Sequence, residues 1–257
     1  MKIVVMSDIH IKAAGDICGR SPQMFLRRAI GHIAVHHGDA DLCVLLGDLA
    51  DEGLPAEYKD LASLLSALPM PIAYTLGNHD DRGNFLNQFA GVPRDGNGFV
   101  QSVTDVGSRR CVLLDTNVPD YGGGRLDGGR LEWLEETLAA SDRKCLVFLH
   151  HPPIDTALPA FATIALDDIE AVDACLSRHS EKVEAVFFGH CHMSVSGLVA
   201  GIPAFGLRSL IYQAIPNLAD DRFISAPGLP PAYSVIVETA TGLTLHVVEF
   251  GYDGPIE

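Results

Sequence analysis

Six of the eleven histidines lie in short polar clusters, and each of these clusters follows an apolar run. Imidazole nitrogen and carboxylate oxygen, the main ligand groups in these clusters, suit ions such as Mn, Fe, Zn and Co. Two such ions about 3.5–4 Å apart can hold a hydroxide and clamp the oxygens of a phosphoryl group. The residue types therefore favour metal-assisted hydrolysis. The clusters are Asp8-Ile9-His10, Gly47-Asp48, Gly77-Asn78-His79-Asp80, His150-His151 and Gly189-His190-Cys191-His192.

Each cluster alone is weak evidence for a site. Gly77-Asn78-His79-Asp80 is compatible with an ordinary turn, since Asn and Gly favour turns. His150-His151 precedes two prolines and is compatible with a plain strand end. Turns alone do not readily explain five such clusters in one chain, each of which directly follows an apolar run. Because sites in α/β sheets assemble at the carboxyl ends of the strands, we expect the clusters to meet.

Apolar runs alternate with amphipathic segments, which is typical of an α/β fold with partly parallel strands. Beyond about residue 193 no helical pattern separates the runs, which predicts antiparallel strands there. The proline-rich residues 215–231 predict a loop, a lid or an oligomer contact. The predicted helices cover 22–37, 55–67, 127–140 and 167–179. The predicted strands cover 2–7, 42–46, 71–76, 111–115, 145–149, 184–188, 195–202, 204–207, 233–237 and 243–250.

The composition excludes several classes of protein. The 257 residues suit one large domain, and 47% hydrophobic with 20% charged residues is ordinary for a globular enzyme. The net charge of −15 argues against a nucleic-acid polymer or an anionic membrane as partner. No apolar run reaches the length of a membrane span, and the N-terminal run is too short for a signal peptide. Six cysteines without framework spacing suggest free thiols, so we expect a cytoplasmic location.

The ordered set of five clusters, spanning residues 8–192, resembles the calcineurin-like metallophosphoesterase superfamily. The short chain, the Asp8-Ile9-His10 start and the His150-His151-Pro152-Pro153 segment resemble bacterial class III cyclic nucleotide phosphodiesterases and the related glycerophosphodiesterases. The resemblance implies a four-layer αββα sandwich with C-terminal antiparallel strands. It also implies that residues 1–257 form a single domain with a binuclear metal centre of Mn, Fe, Zn or Co.

The resemblance also assigns the metal ligands, with Asp48 bridging the two ions. Adjacent side chains on an extended strand point to opposite faces, so only one of His150 and His151 is expected to be a ligand, and the resemblance implies His150. The same alternation turns Cys191 away from the ions. The first ion would be held by Asp8, His10, Asp48 and His192. The second ion would be held by Asp48, Asn78, His150 and His190.

The catalytic residues expected from the resemblance are His79, Asp48 and Asn78. A metal-bound hydroxide would attack phosphorus, while His79 donates to a phosphoryl oxygen or protonates the leaving group. Asp80 would hold the His79 ring. Substrate would contact Asn78 and His79. Arg20, in the loop after the first cluster, is either a specificity contact to an anionic group of the substrate or a solvated loop residue. Asp51, Asp81 and Asp115 lie near the motif turns, where they either support the site or face solvent.

The expected reaction is hydrolysis of a small soluble phosphodiester: a cyclic nucleotide, a glycerophosphodiester or a phosphonate monoester. A phosphomonoesterase is the alternative enzyme, and it would need cationic side chains near the site mouth. A metal-binding interaction scaffold is the alternative without catalysis. Residues 208–232 are expected to form a lid or a dimerisation insertion, in a homo-oligomer. The isolated arginines available to the site are Arg20, Arg82, Arg125 and Arg208.

Overall fold

Two β-sheets lie face to face, and α-helices cover the outer face of each sheet. The computed structural model describes residues 1–251. The helices are α1 (Pro22–His36), α2 (Pro55–Leu65), α3 (Arg82–Gln88), α4 (Gly128–Ala140) and α5 (Ile169–Arg178), with a 3-10 turn at Pro159–Phe161. The strands are β1 (Lys2–Met6), β2 (Leu42–Leu46), β3 (Ile72–Thr75), β4 (Ser102–Val106), β5 (Arg109–Leu113), β6 (Lys144–Leu149), β7 (Val183–Phe188), β8 (Val195–Val199), β9 (Ile202–Gly206), β10 (Gln213–Ile215), β11 (Ile224–Ala226), β12 (Ala232–Thr239) and β13 (Gly242–Glu249).

Each sheet contains a block of parallel strands next to antiparallel ones. The first sheet has the order β13-β12-β1-β2-β3, in which β1, β2 and β3 are parallel. The second has the order β4-β5-β6-β7-β9-β8, in which the four strands from β5 to β9 are parallel. The C-terminal strands β12 and β13 pair antiparallel and complete the first sheet beside β1. The expectation of C-terminal antiparallel strands is therefore confirmed, although β9 also pairs parallel to β7.

The alternation of side chains along the strands builds three apolar layers. On β1, Val4 and Met6 face the layer shared with α1 and α2, while Ile3 and Val5 face the second sheet. On β6, Val147 faces α4 and α5. All five side chains are buried. Helices, sheet, sheet and helices thus stack in the predicted αββα order, and the core lies in three parallel slabs.

The four helices and the main strands predicted from the sequence are present, with ends shifted by one to three residues. Helix α1 begins as expected, because Ser21 accepts a hydrogen bond from the backbone of Met24 and Pro22 occupies the first turn. The short helix α3 and the strand β4 had no predicted counterpart. The prediction of an irregular loop over 215–231 is wrong in part, because β11 lies inside it and pairs with β10. Three-residue strands are too short to show an alternating pattern.

None of the helices within residues 1–251 is both long and apolar enough to cross a membrane. All six cysteines are free thiols. Five of them are buried, and their sulfur atoms serve as packing groups in the core. Cys18 is exposed.

Candidate metal centre

The five polar clusters follow the carboxyl ends of five parallel strands, three in the first sheet (β1, β2, β3) and two in the second (β6, β7). The two sheets meet at this edge. The backbone N–H of His190, after β7, donates to Oδ1 of Asp8, after β1, at 3.0 Å. A parallel bridge between Ser7 and Ser209 adds a second link. The sandwich thus gathers residues that are more than 180 positions apart in the chain.

The first group of donor atoms comes from Asp8, His10, Asp48 and His192, whose ligand atoms all lie within 4.8 Å of one another. Nε2 of His10 lies 3.2 Å from Nε2 of His192 and 3.6 Å from Oδ2 of Asp48. Nε2 of His192 lies 3.4 Å from Oδ1 of Asp8. All four side chains are buried. The structure therefore brings together the residues predicted to hold the first ion.

The second group lies on the other side of Asp48. Oδ2 of Asp48 is 3.3 Å from Nε2 of His150, and the same nitrogen is 3.3 Å from Oδ1 of Asn78 and 3.3 Å from Nδ1 of His190. One carboxylate oxygen of Asp48 thus faces both groups, through His10 on one side and His150 on the other. This is the place expected for a bridging ligand.

The orientation of the imidazole rings suits metal binding. Nδ1 of His150 lies 3.0 Å from the carbonyl oxygen of Leu46, and Nδ1 of His192 lies 3.1 Å from that of Tyr212. Each Nδ1–H donates to its carbonyl, so Nε2 is the ring nitrogen that points into the cluster, as metal-binding histidines require. His190 has the opposite arrangement: its Nδ1 faces the cluster and its buried Nε2 has no hydrogen-bond partner. These donors fit two ions.

Burial sets the charge state of the imidazoles. Burial lowers the pKa of His190 to about 3 and that of His192 well below its usual range, so both rings are neutral and able to bind a cation. Burial also opposes ionisation of Asp48, but His150 and His10 outweigh it and hold that pKa well below its usual range. Burial disfavours the charged form of His150 as well, yet Asp48 raises its pKa to about 9. The cluster thus concentrates negative charge at Asp48 and places positive charge beside it.

The backbone is strained where the ligands lie. Asp8, His10, Asp48, His190 and His192 all have φ between +47° and +69°, a region that residues with a side chain rarely adopt. Such strain gathers at functional sites, where the surrounding structure holds it in place. A Cβ atom on the preceding Gly47 would lie 2.4 Å from a His150 ring nitrogen. Position 47, directly before Asp48, therefore has to be glycine, because its backbone lies against the ring of His150.

His79 stands at the edge of the cluster and is exposed. Its Nδ1 lies 2.7 Å from the carbonyl oxygen of Asp51, its backbone N–H donates to Oδ1 of Asp48, and its ring packs edge-on against that of His10 at 4.7 Å. The expectation that Asp80 holds the His79 ring is wrong. Asp80 is buried on the opposite side of the turn, and the backbone of Asp51 takes the expected role.

A cavity of about 190 Å³ opens over the cluster. Six of its lining residues belong to the polar clusters, and the others are aromatic or aliphatic. Among residues 1–251, no arginine or lysine lines this cavity. The mouth thus combines a floor of metal-binding groups with an uncharged wall. The lining consists of His10, Asp48, Asn78, His79, His190, His192, Phe161, Ile164, Tyr212 and Phe223.

The family model of calcineurin-like phosphoesterases matches residues 1–194, from β1 through the last polar cluster. The chain belongs to the calcineurin-like phosphoesterase family. It is 38% identical over 262 residues to a probable cyclic nucleotide phosphodiesterase of Rhodopseudomonas palustris, covering all of this chain and 95% of that protein. It is 29% identical to a probable glycerophosphodiester phosphodiesterase of Arcobacter nitrofigilis, covering 99% of this chain and 96% of that protein. The resemblance drawn from the motifs is confirmed.

Solved structures agree on the fold. Purple acid phosphatase from yellow lupin superposes with a TM-score of 0.68 at 13% identity, covering 97% of this chain and 51% of the lupin chain. This phosphoesterase thus spans about half of that structure. A Plasmodium protein described as the anchor in the inner membrane complex superposes with a TM-score of 0.64 at 12% identity. The superposition covers 97% of this chain and 84% of the Plasmodium chain. At these identities the likeness extends to the fold alone.

The site is supported by Asn117, a residue that the sequence did not single out, together with Asp115. Nδ2 of Asn117 donates to the carbonyl oxygens of Gly77 and Asp80, at 2.6 and 2.8 Å, and so fixes the turn that carries Asn78 and His79. Asp115 accepts from the Asn117 backbone and forms a two-point ion pair with Arg82 at 2.7 and 2.9 Å. The sequence did contain a signal for Asn117, because Thr116 and Asn117 are polar residues that directly follow the predicted strand 111–115, as the five clusters follow theirs.

The phosphoesterase buries His151 beside the second group of donors. Its Nδ1 lies 2.8 Å from the Thr116 hydroxyl, its Nε2 is buried without a partner, and its ring lies 4.8 Å from that of His190. Donor atoms of His150, His151 and His190 lie within 4.8 Å of one another. The preference for His150 as ligand stays a prediction. Burial raises the pKa of the Cys191 thiol, which disfavours the thiolate needed for metal binding.

The arginines of the phosphoesterase are bound elsewhere. Arg82 pairs with Asp115, Arg125 pairs with Asp167, and Arg208 pairs with Glu249. Arg20 donates to two backbone carbonyls and is absent from the cavity lining described above, so its role as a substrate contact stays a prediction. Of the predicted supporting acids, Asp51 contacts His10 and His79, Asp115 holds Asn117, and Asp81 caps α3.

Proposed function

We propose that this phosphoesterase hydrolyses a small phosphodiester at a binuclear metal centre. The observation that carries the proposal is the position of Asp48, whose Oδ2 faces His10 at 3.6 Å and His150 at 3.3 Å. One carboxylate oxygen between two sets of ligand atoms is the arrangement that a bridging ligand needs. The names of the relatives support the diester class, since they include probable cyclic nucleotide and glycerophosphodiester phosphodiesterases.

Asp8, His10 and His192 would complete the first metal site, and Asn78, His150 and His190 the second. When bound, the two ions, for which Mn, Fe, Zn and Co are candidates, supply a nucleophile near neutral pH and neutralise charge on the phosphoryl oxygens. The left-handed turns hold the ligands in place before the ions bind.

His79 is the proposed general acid. With Nδ1–H donating to the Asp51 carbonyl, the ring presents Nε2 away from that contact. In the imidazolium form, Nε2–H donates to a phosphoryl oxygen or transfers its proton to the departing alkoxide. The exposed position of the ring suits contact with substrate. Asn78 lies beside it on the turn that Asn117 fixes.

The uncharged cavity wall favours a diester over a monoester. A terminal phosphomonoester carries more negative charge than a diester and gains more from nearby cations. Arg222, which lies beside the aromatic wall, is paired with Asp220 at 2.8 Å. The cationic mouth required by the phosphomonoesterase alternative is therefore missing among residues 1–251.

Hydrolysis of bis(p-nitrophenyl) phosphate beside p-nitrophenyl phosphate tests this function, on protein stripped with chelator and reloaded with Mn²⁺. Faster turnover of the diester, lost without metal, is the expected result. Preference for the monoester would overturn the substrate class. Binding of two ions without turnover of either compound would favour the interaction scaffold.

We further infer a homo-oligomer in the cytoplasm. The segment around β10 and β11 exposes apolar side chains, with Ile215 at 47% and Leu218 at 70% exposure, and contact with a second copy would cover them. Residues 208–232 would then form the dimerisation insertion. Sedimentation equilibrium at micromolar concentration is expected to give at least twice 27.5 kDa, and a monomer would contradict the assembly. The free thiols support a reducing compartment.

A further inference from the structure

The cavity wall facing the metal-binding groups is built from two separate segments. Phe161 ends the 3-10 turn after β6, and Phe223 lies immediately before β11. Their rings meet edge to face at 6.0 Å, and Phe223 meets Tyr212 in the same way at 6.4 Å. Tyr212 in turn lies 4.3 Å from His192. A continuous aromatic surface thus runs from the metal-binding floor to the rim.

The hairpin that carries Phe223 cannot hold its position by its own pairing. Its strands β10 and β11 are three residues long and form a separate two-stranded sheet. A short isolated hairpin of this kind is marginally stable at best. Phe223 is 44% exposed, so packing holds it only in part. The backbone N–H of Ala214 on β10 donates to the carbonyl oxygen of His192 at 2.8 Å, and a contact at the base of the hairpin adds to this anchor.

Arg20 supplies that contact at both ends of the hairpin. Its Nη1 donates to the carbonyl oxygen of Ile211 at 2.8 Å, and its Nη2 donates to that of Leu229 at 3.0 Å. The guanidinium lies 4.9 Å over the ring of Phe25 in α1. A tight turn from Ile17 to Arg20 directs the side chain. The planar guanidinium thus links the base of the hairpin to helix α1.

We propose that Phe161 and Phe223 form a specificity wall for a planar aromatic substituent of the diester, such as a nucleobase, and that Arg20 is the positioning residue of this wall. The proposal rests on the proposed phosphodiesterase function. A flat ring gains contact with the faces and edges of the two phenyl groups. A glycerol substituent instead loses water against the two phenyl rings, which offer it no hydrogen-bonding group.

Binding of the products tests the wall without turnover. Adenosine 5′-monophosphate and glycerol 3-phosphate are titrated calorimetrically into the metal-loaded protein and its Phe223→Ala variant. Because stacking of a base on an aromatic side chain is worth ~1–3 kcal/mol, and Phe223 is partly exposed, we expect the nucleotide to bind ~5- to 10-fold more weakly to the variant. Glycerol 3-phosphate should bind within about twofold of the wild type. Leu198→Ala removes a more exposed apolar side chain, on β8 and outside the cavity lining, and as the control it should change neither affinity. An equal loss of affinity for the nucleotide and for glycerol 3-phosphate in Phe223→Ala would refute the specificity wall.

Kinetics separate the role of Arg20 from that of Phe223. Bis(p-nitrophenyl) phosphate and ethyl p-nitrophenyl phosphate share a leaving group and differ only in the remaining substituent. Both Arg20→Gln and Phe223→Ala should raise KM for the aryl diester alone and leave kcat nearly unchanged. The double variant should resemble either single variant, since both act through one ring. Additive effects, or a fall in kcat on both substrates, would refute the positioning role.

The outcomes distinguish this proposal from the proposed function. If the wild type hydrolyses neither diester but still prefers the nucleotide in calorimetry, phosphodiester hydrolysis is refuted and the specificity wall is supported. Turnover of both diesters with equal kcat/KM, unaffected by Phe223→Ala, would keep the function and refute the wall.

Discussion

Replacing Asp80 by alanine tests whether one buried carboxylate anchors the turns that carry the ligands. Its oxygens accept from the backbone N–H groups of Gly77, Leu49 and Ala50 and from the Tyr58 hydroxyl, at 2.9–3.2 Å. The substitution leaves four donors without an acceptor, and each buried unpaired group costs ~1–3 kcal/mol. Because water can enter the vacated space, we expect values near the lower limit. The free energy of unfolding should fall by about 4 kcal/mol in total.

The assay is thermal unfolding of the chelator-treated protein, which removes any contribution from metal binding. A loss of about 4 kcal/mol corresponds to a fall in Tm of roughly 8–16 °C for a domain of this size. Asp81→Ala is the matched control, since the neighbouring carboxylate accepts only from the backbone of Asn84, at 2.7 Å, as the N-cap of α3. Loss of such a cap costs ~1 kcal/mol. Equal destabilisation by the two variants would refute the anchoring role.

Three further variants probe the active site and the surface. His79→Ala should lower kcat for the diester ~10²- to 10⁴-fold with unchanged metal content, and an unchanged kcat would contradict its role as general acid. Gly47→Ala should lose metal by elemental analysis, because the new Cβ meets His150 at 2.4 Å, whereas Gly31→Ala, with open space around it, should keep both ions. The pKa of Glu135 is lowered to about 2 by the arginine and histidine that end α5. Its ionised form therefore stabilises the fold above about pH 4.5, and Glu135→Gln should be slightly less stable there, by under ~1 kcal/mol at this partly exposed site. This difference should vanish as the pH falls towards 2, and a difference that persists would contradict the ion pair.

The sequence by itself determined the family, the layer order and the residues that gather at the candidate metal centre. Apolar runs, helical spacing and the polar residues that follow each run are local features. Parallel strands bring their carboxyl ends to one edge whatever their order in the sheet. Asp8 and His192 could therefore be assigned to one centre although 184 positions separate them.

Only the tertiary structure decided which groups support that centre. The carbonyl of Asp51 holds His79 because the turn directs Asp80 inwards, where it accepts from the backbone of Gly77, Leu49 and Ala50, and hydrogen bonds to the backbone leave no periodic signal in the sequence. Asn117 and Arg20 act through backbone carbonyls, which every residue possesses, so no residue type at the receiving end marks the contact. The place of Phe223 over the cavity likewise depends on Arg20, about 200 positions earlier. Local patterns record which side chains are buried or polar, and the packing of the two sheets alone decides which of them meet.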